Sequence, residues 1–187
     1  ALDIPVVDLG ELSSHDQSVH AHAAAALERA FGEFGLVYVR AHGIDPATLD
    51  LFYDRFGAFC DLPLETKQRY GRPEIWFQRG WTPPNTERAV IAGGQPDFKE
   101  CWFAAPEPLD PVAKAQYPEV YADNIWPDGD PDFERAMLAV GHQLHRIGLA
   151  LLRGCAARLQ LAPYAFEALT DGGPHVTRAL KYLALAS

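Results

Sequence analysis

The chain has 187 residues, 48% hydrophobic and 22% charged, which suits one soluble globular unit large enough for a core. Its formal net charge is -9, and no Lys/Arg cluster offsets it, which argues against nucleic acid as a partner. Cys60, Cys101 and Cys155 are odd in number and widely spaced with no CxxC, so neither a disulfide framework nor a zinc knuckle is indicated, and reduced thiols in a cytoplasmic protein are the simple reading.

No signal peptide is expected, because Asp3 and Asp8 flank a very short apolar run. No apolar stretch has bilayer length, so no membrane partner is expected. Residues 4–9 predict a short strand, with Pro5 at its start or edge. Ser14 then caps a helix, and Gln17 completes a capping box. This helix runs to about Phe34, with Ala23, Leu27, Ala30, Phe31 and Phe34 on one face. Gly35 supplies its left-handed end. Residues 36–39 form a continuous apolar run that suits a buried strand, followed by a turn at His42-Gly43. Asp45 and Pro46 are the cap and first residue of a second helix with an inner face of Leu49, Phe52, Phe56 and Phe59. Leu62-Pro63-Leu64-Glu65 starts a short third helix through Lys67 and Tyr70.

Residues 71–96 hold Pro and Gly without sustained periodicity, and such a loop is usually functional or mobile. Residues 98–103 predict a strand, and 106–126 a proline-punctuated connector. Asp130-Pro131 opens the longest helix, ending near Leu159, with Met137, Leu138, Leu144, Ile147, Leu151 and Cys155 as its buried stripe. A short helix at 163–169 and a turn at 171–174 follow. Residues 176–185 then predict a strand that begins a sheet.

Seven segments in this order resemble the isopenicillin N synthase-like family of non-haem iron, 2-oxoglutarate-dependent oxygenases. Ile4-Pro5-Val6-Val7-Asp8-Leu9 is similar to its opening strand. Phe34-Gly35-Leu36-Val37-Tyr38-Val39 with His42-Gly43-Ile44 resembles its N-terminal signature, Ala41 standing where Asn is usual. Phe59 to Lys67 resembles Phe-x-x-Leu-Pro-x-Glu-x-Lys, and Arg79-Gly80-Trp81 resembles Arg-Gly-Tyr. Asp97-Phe98-Lys99-Glu100 with Trp102 resembles Asp-x-Lys-Glu-x-Trp, and Asn124-Ile125-Trp126-Pro127 resembles Asn-x-Trp-Pro. Arg178 to Tyr182 resembles Arg-x-x-x-Tyr-Pro, with Leu183 in place of Pro.

The resemblance implies an α+β chain: residues 1–175 as the helix-rich N-terminal region of a double-stranded β-helix (jelly-roll) oxygenase, and 176–187 as the first strand of the jelly roll. It implies Fe(II) and 2-oxoglutarate as cofactors of the complete enzyme, and hydroxylation, desaturation or cyclisation of a small-molecule substrate. Such enzymes hold iron with His-x-Asp and a distant His. Neither His-x-Asp nor His-x-Glu occurs here. The expectation is therefore an N-terminal portion with the jelly roll largely missing, no catalytic or metal-ligating residue, and no cofactor bound. The alternative is a non-catalytic truncated relative that acts as a binding or interaction module.

His42 reads as a turn histidine bonded to backbone rather than a ligand. His142 and His145 share a helix face, but lack a carboxylate at ligand spacing, so no metal site is expected. Arg79 suits a bidentate clamp for a substrate carboxylate. Trp81 would then wall the pocket, and Gly80 would bring the backbone close to it. A surface ion pair of Arg79 with Glu74 or Glu87 is the competing reading. Tyr182 shares a strand face with Leu180 and Ala184; the resemblance implies that its phenol bonds a bound carboxylate, and a half-buried strand tyrosine is the alternative. Substrate binding is thus expected at Arg79, Trp81 and Tyr182. Lys99 and Glu100 read as strand alternation without a catalytic pairing.

Overall fold

In the first strand, β1 (Val6–Asp8), the last residue turns the chain into a helix. The Asp8 carboxylate accepts the N–H groups of Gly10 and Glu11 and so caps α1 (Leu9–Leu12). The strand therefore ends earlier than the apolar pattern predicts, because a capping side chain takes over the first free helix donors. The computed structural model describes residues 3–88 and 94–184. It divides into two compact units.

One unit combines the chain up to Ile44 with Gln143–Asp171. Its second helix, α2 (Gln17–Arg29), is capped by Asp16, which accepts from Ser18 and Val19 N–H. The expected Ser14 capping box does not form: Ser14 Oγ instead accepts the Asp16 N–H at 3.1 Å. Residues Ala30–Phe34 continue as a single π-helical turn to Gly35, whose φ is 70°. The wider turn rotates the expected stripe, so Ala30 is buried while Phe31 is 47% exposed. β2 (Tyr38–Arg40) pairs in parallel with β1, Val7 opposite Val39. It is not the buried strand expected at 36–39. A two-stranded sheet covered on one side leaves Val6, Leu36 and Tyr38 exposed. Val7, Leu12, Ala23, Ala24 and Leu27 form the core, with Leu151 and Cys155 packed on it. Ala41 takes the left-handed conformation, φ 53°, which Asn tolerates better than Ala.

The other unit combines Asp45–His142 with the chain from Gly172 on. Asp45 caps α3 (Pro46–Cys60) through Thr48 N–H, with Pro46 in the first turn. α4 (Leu64–Gln68) follows. The predicted long loop holds a 3-10 turn at Pro73–Ile75 and a strand, β3 (Gly80–Thr82). A bridge joins Arg88 to Pro96; the intervening 89–93 lie outside the described residues. β4 (Lys99–Ala104) is buried throughout. α5 (Pro111–Gln116), capped by Asp110, lies within the predicted connector.

Helix α6 (Pro131–Arg158) contributes Phe133, Ala136, Met137 and Val140 to this unit's core. Of its expected stripe, Leu144 is instead 47% exposed. α7 (Glu167–Thr170) is shorter than predicted. β5 (Thr177–Tyr182) pairs antiparallel with β4 along its whole length. The sheet order is β3-β4-β5. Among the described residues, no helix is long and apolar enough to cross a membrane.

Candidate functional site

The register of β3-β4-β5 decides which expected substrate residues share a face. Trp81 pairs with Trp102, and Trp102 with Ala179, so these three side chains stand together. Theirs is the core face: Trp81 is 1% exposed, and the Trp102 ring lies 4.8 Å from both Phe59 and Phe133. Tyr182 pairs with Lys99, an odd step along β4 from Trp102, so it points to the opposite face. It is 60% exposed and meets Phe98 edge-on at 5.5 Å. Trp81 and Tyr182, expected to share a site, therefore lie on opposite faces of the sheet, Trp81 in the core and Tyr182 toward the outside.

Arg79 corrects a second expectation. It is fully buried. Its Nε donates to the Ala122 carbonyl at 2.9 Å, Nη1 to the Gln78 carbonyl at 2.6 Å and Nη2 to the Val120 carbonyl at 3.5 Å. Burial pulls its pKa below the ordinary value. The carboxylates of the surface-pair reading lie elsewhere, Glu74 near Arg72, and Glu87 near Lys99 and Arg178. A guanidinium bridging backbone carbonyls holds the 120–122 segment in place. Asn124 does the same work one step on, since its amide both accepts the Ala105 N–H and donates to the Ala105 carbonyl. Gly80 adopts a left-handed φ of 76°. A Cβ there would lie 2.3 Å from the Tyr70 carbonyl oxygen, which accepts the Trp81 N–H at 3.0 Å.

Glu100 has the pairing that sequence reasoning missed. Its Oε2 accepts from Lys67 Nζ at 2.9 Å and from Trp81 Nε1 at 2.7 Å. Lys67 also donates to the Cys60 carbonyl at 2.8 Å and sits 5.5 Å above the Trp81 ring. Three of the quoted motifs thus meet at one buried ion pair. The motifs themselves were the available signal; their adjacency was not. Burial first, then Glu100, pushes the Cys60 thiol up to about 12, so it is no nucleophile at neutral pH.

The other face of the sheet carries the accessible chemistry. Arg178, Leu180 and Tyr182 alternate outward along β5. Arg178 Nη1 lies 3.4 Å from both Glu87 oxygens. Lys99 Nζ lies 2.9 Å from Glu87 and also bonds Asp97, and those two hydrogen bonds raise its pKa. Phenol, aromatic edge and a shared cation thus form one polar-apolar strip that could orient a small molecule. Among the described residues, no group of three His, Cys, Asp or Glu side chains could hold a metal ion. His142 Nδ1 is engaged by Glu107 at 2.5 Å, and His42 Nδ1 accepts the Ile44 N–H at 3.1 Å, as a turn histidine does. The described residues do not fit an iron centre.

Residues 4–129 match the family described as non-haem dioxygenase in morphine synthesis, N-terminal. The chain is 30% identical over 167 residues to kihadalactone A synthase of Citrus sinensis, covering 85% of this chain and 47% of that protein. It is 26% identical over 178 residues to isopenicillin N synthase of Flavobacterium sp., covering 88% and 50%. A solved 2OG-Fe(II) oxygenase family protein from Caulobacter crescentus superposes with a TM-score of 0.81 at 28% identity, over 99% of this chain and 58% of that one. The chain spans about half the length of these curated relatives. With residues 4–129 matched by the family model and most of the chain by its relatives, the chain belongs to the isopenicillin N synthase-like family of non-haem Fe(II)/2-oxoglutarate oxygenases.

Proposed function

We propose that the whole protein is a non-haem iron, 2-oxoglutarate-dependent oxidoreductase that hydroxylates, desaturates or cyclises a small molecule, and that this chain supplies its N-terminal, substrate-facing part. The family match over residues 4–129 carries this reading. Iron, when bound, supplies the activation of dioxygen. The described residues offer iron no ligand set, so the contribution of this chain is orientation and scaffold. Tyr182 is the substrate-facing residue: its phenol donates or accepts a hydrogen bond, and the Tyr182–Phe98 edge gives an apolar surface. Arg178, four residues away on the same face of the strand, offers a cation to an acidic substrate. Arg79 and Trp81 act as positioning residues, fixing the segment and the strand behind that face.

The test supplies the intact protein with Fe(II) and 2-oxoglutarate anaerobically, admits oxygen and follows succinate with candidate small molecules. Iron-dependent succinate formation that rises with substrate is the expected result. Tyr182→Phe is then expected to raise KM about fivefold, the scale of one lost hydrogen bond of ~1 kcal/mol. No conversion of 2-oxoglutarate under any of these conditions would overturn the assignment.

A further inference from the structure

Helix α6 places Ala150, Arg153 and Ala157 at spacings of three and four, so they share one face. The two alanines leave room on either side of the arginine. That room is part of an open cleft of about 690 Å³ on the N-terminal unit, lined also by Leu12, Leu161 and Tyr164 and reached by Ser14 and His20. Its size lies in the range of small-molecule sites, ~300–1,000 Å³. It is distinct from the strip around Tyr182.

The polar groups in the cavity are already oriented. Arg153 lies over the Tyr164 ring, 5.1 Å from its centroid. Its Nε donates to Glu167 at 2.5 Å, which fixes the guanidinium plane and uses one of its five N–H donors. Ser14 Oγ accepts the Asp16 N–H, leaving its O–H to donate. His20 Nδ1 lies 2.7 Å from the Leu12 carbonyl oxygen. A carbonyl only accepts, so Nδ1 carries the proton and Nε2 is the nitrogen left for another partner. The Asp16 carboxylate on the preceding loop is turned onto the first N–H groups of α2. The cavity therefore presents donors from Arg153 and Ser14 against a wall of Leu12, Leu161 and two alanines.

We propose that this cavity binds a small monocarboxylate with an apolar, aryl-sized body. The carboxylate meets the remaining Arg153 N–H groups and the Ser14 hydroxyl, and the body lies between Ala150, Ala157 and Leu161 beside the Tyr164 ring. Such recognition follows from the fork geometry of arginine and from acceptor-donor complementarity.

The experiment titrates phenylacetate, and separately the neutral phenylacetamide, into the ¹⁵N-labelled intact protein. Saturable shifts confined to residues around Ser14, His20 and Ala157, with half-saturation below about 1 mM, are expected. The amide should bind at least about tenfold more weakly, since it forfeits the charged pair with arginine. Ala157→Phe, which fills the cavity without touching a charge, should abolish these shifts. Absence of saturable shifts there, equal binding of acid and amide, or undiminished shifts in a folded Ala157→Phe protein would each overturn the proposal. The acid-amide comparison needs no variant, so it decides the question even if Ala157→Phe fails to fold.

Discussion

At Arg79, backbone carbonyls of residues 78, 120 and 122 receive the guanidinium N–H groups that the sequence left unassigned. An arginine beside glycine and tryptophan has the chemistry of a carboxylate clamp. Burial against carbonyls gives it another task, because a buried guanidinium needs acceptors and those carbonyls need donors. Arg79→Met keeps most of the side-chain bulk and leaves the carbonyls unpaired. It is expected to lower the free energy of unfolding by ~2–3 kcal/mol, the scale of hydrogen bonds to a charged group, measured by urea denaturation. Arg79→Lys should restore only part of this, since an ammonium cannot bridge separated carbonyls. Unchanged stability together with weakened carboxylate binding would return Arg79 to the ligand site. Gly80 carries the same lesson. Its identity was legible, but the Tyr70 carbonyl that forbids a Cβ there belongs to another part of the chain.

Among the elements, α4 is joined to β3 and β4 by Lys67, Trp81 and Glu100. Glu100 is 2% exposed and Lys67 9%, so removal of either partner leaves an uncompensated buried charge. Glu100→Ala is expected to cost ~3–5 kcal/mol. It also orphans the Trp81 N–H. Replacing both charges, Lys67→Met with Glu100→Leu, should recover much of that loss, because well-packed apolar groups replace a buried pair at little cost. Thermal and chemical denaturation of the four-protein cycle measures the coupling. A double variant less stable than Glu100→Ala would mean that the acid serves some purpose other than neutralising Lys67. Helix starts show how far local chemistry carries prediction. Asp45-Pro46 was readable because both signals are contiguous with the helix they start. Ser14 was misread because the helix starts two residues later, where Asp16 accepts the Ser18 and Val19 N–H groups and Ser14 accepts only the Asp16 N–H.

For the whole molecule, the outward side of β5 is the feature with the largest consequence. Leu180 is 41% and Tyr182 60% exposed, with Val176, Leu183 and Phe98 also exposed, and β5 is an outer strand of its sheet. An outer strand with an apolar face is a template for further pairing. A protein of these 187 residues is therefore expected to self-associate at high concentration. Leu180→Lys with Tyr182→Lys should shift it toward monomer in sedimentation velocity, because charge on an outer strand opposes edge pairing. A wild-type protein that stays monomeric across the concentration series would show that this face is not an association surface.

What the sequence by itself determined is the family, through short motifs whose residues are contiguous, and the helices whose caps and apolar spacing are local. It also determined that Leu180 and Tyr182 share a face, since strand alternation needs no partner. Tertiary structure alone decided the roles of the motif residues. The placement of Trp81 and Tyr182 on opposite faces depends on the β3-β4-β5 register. The Lys67–Glu100 pair spans 33 residues, and the Arg79 acceptor Ala122 lies 43 residues away. Such contacts leave no periodic trace in a sequence, because the energy that fixes them comes from burying the partners together.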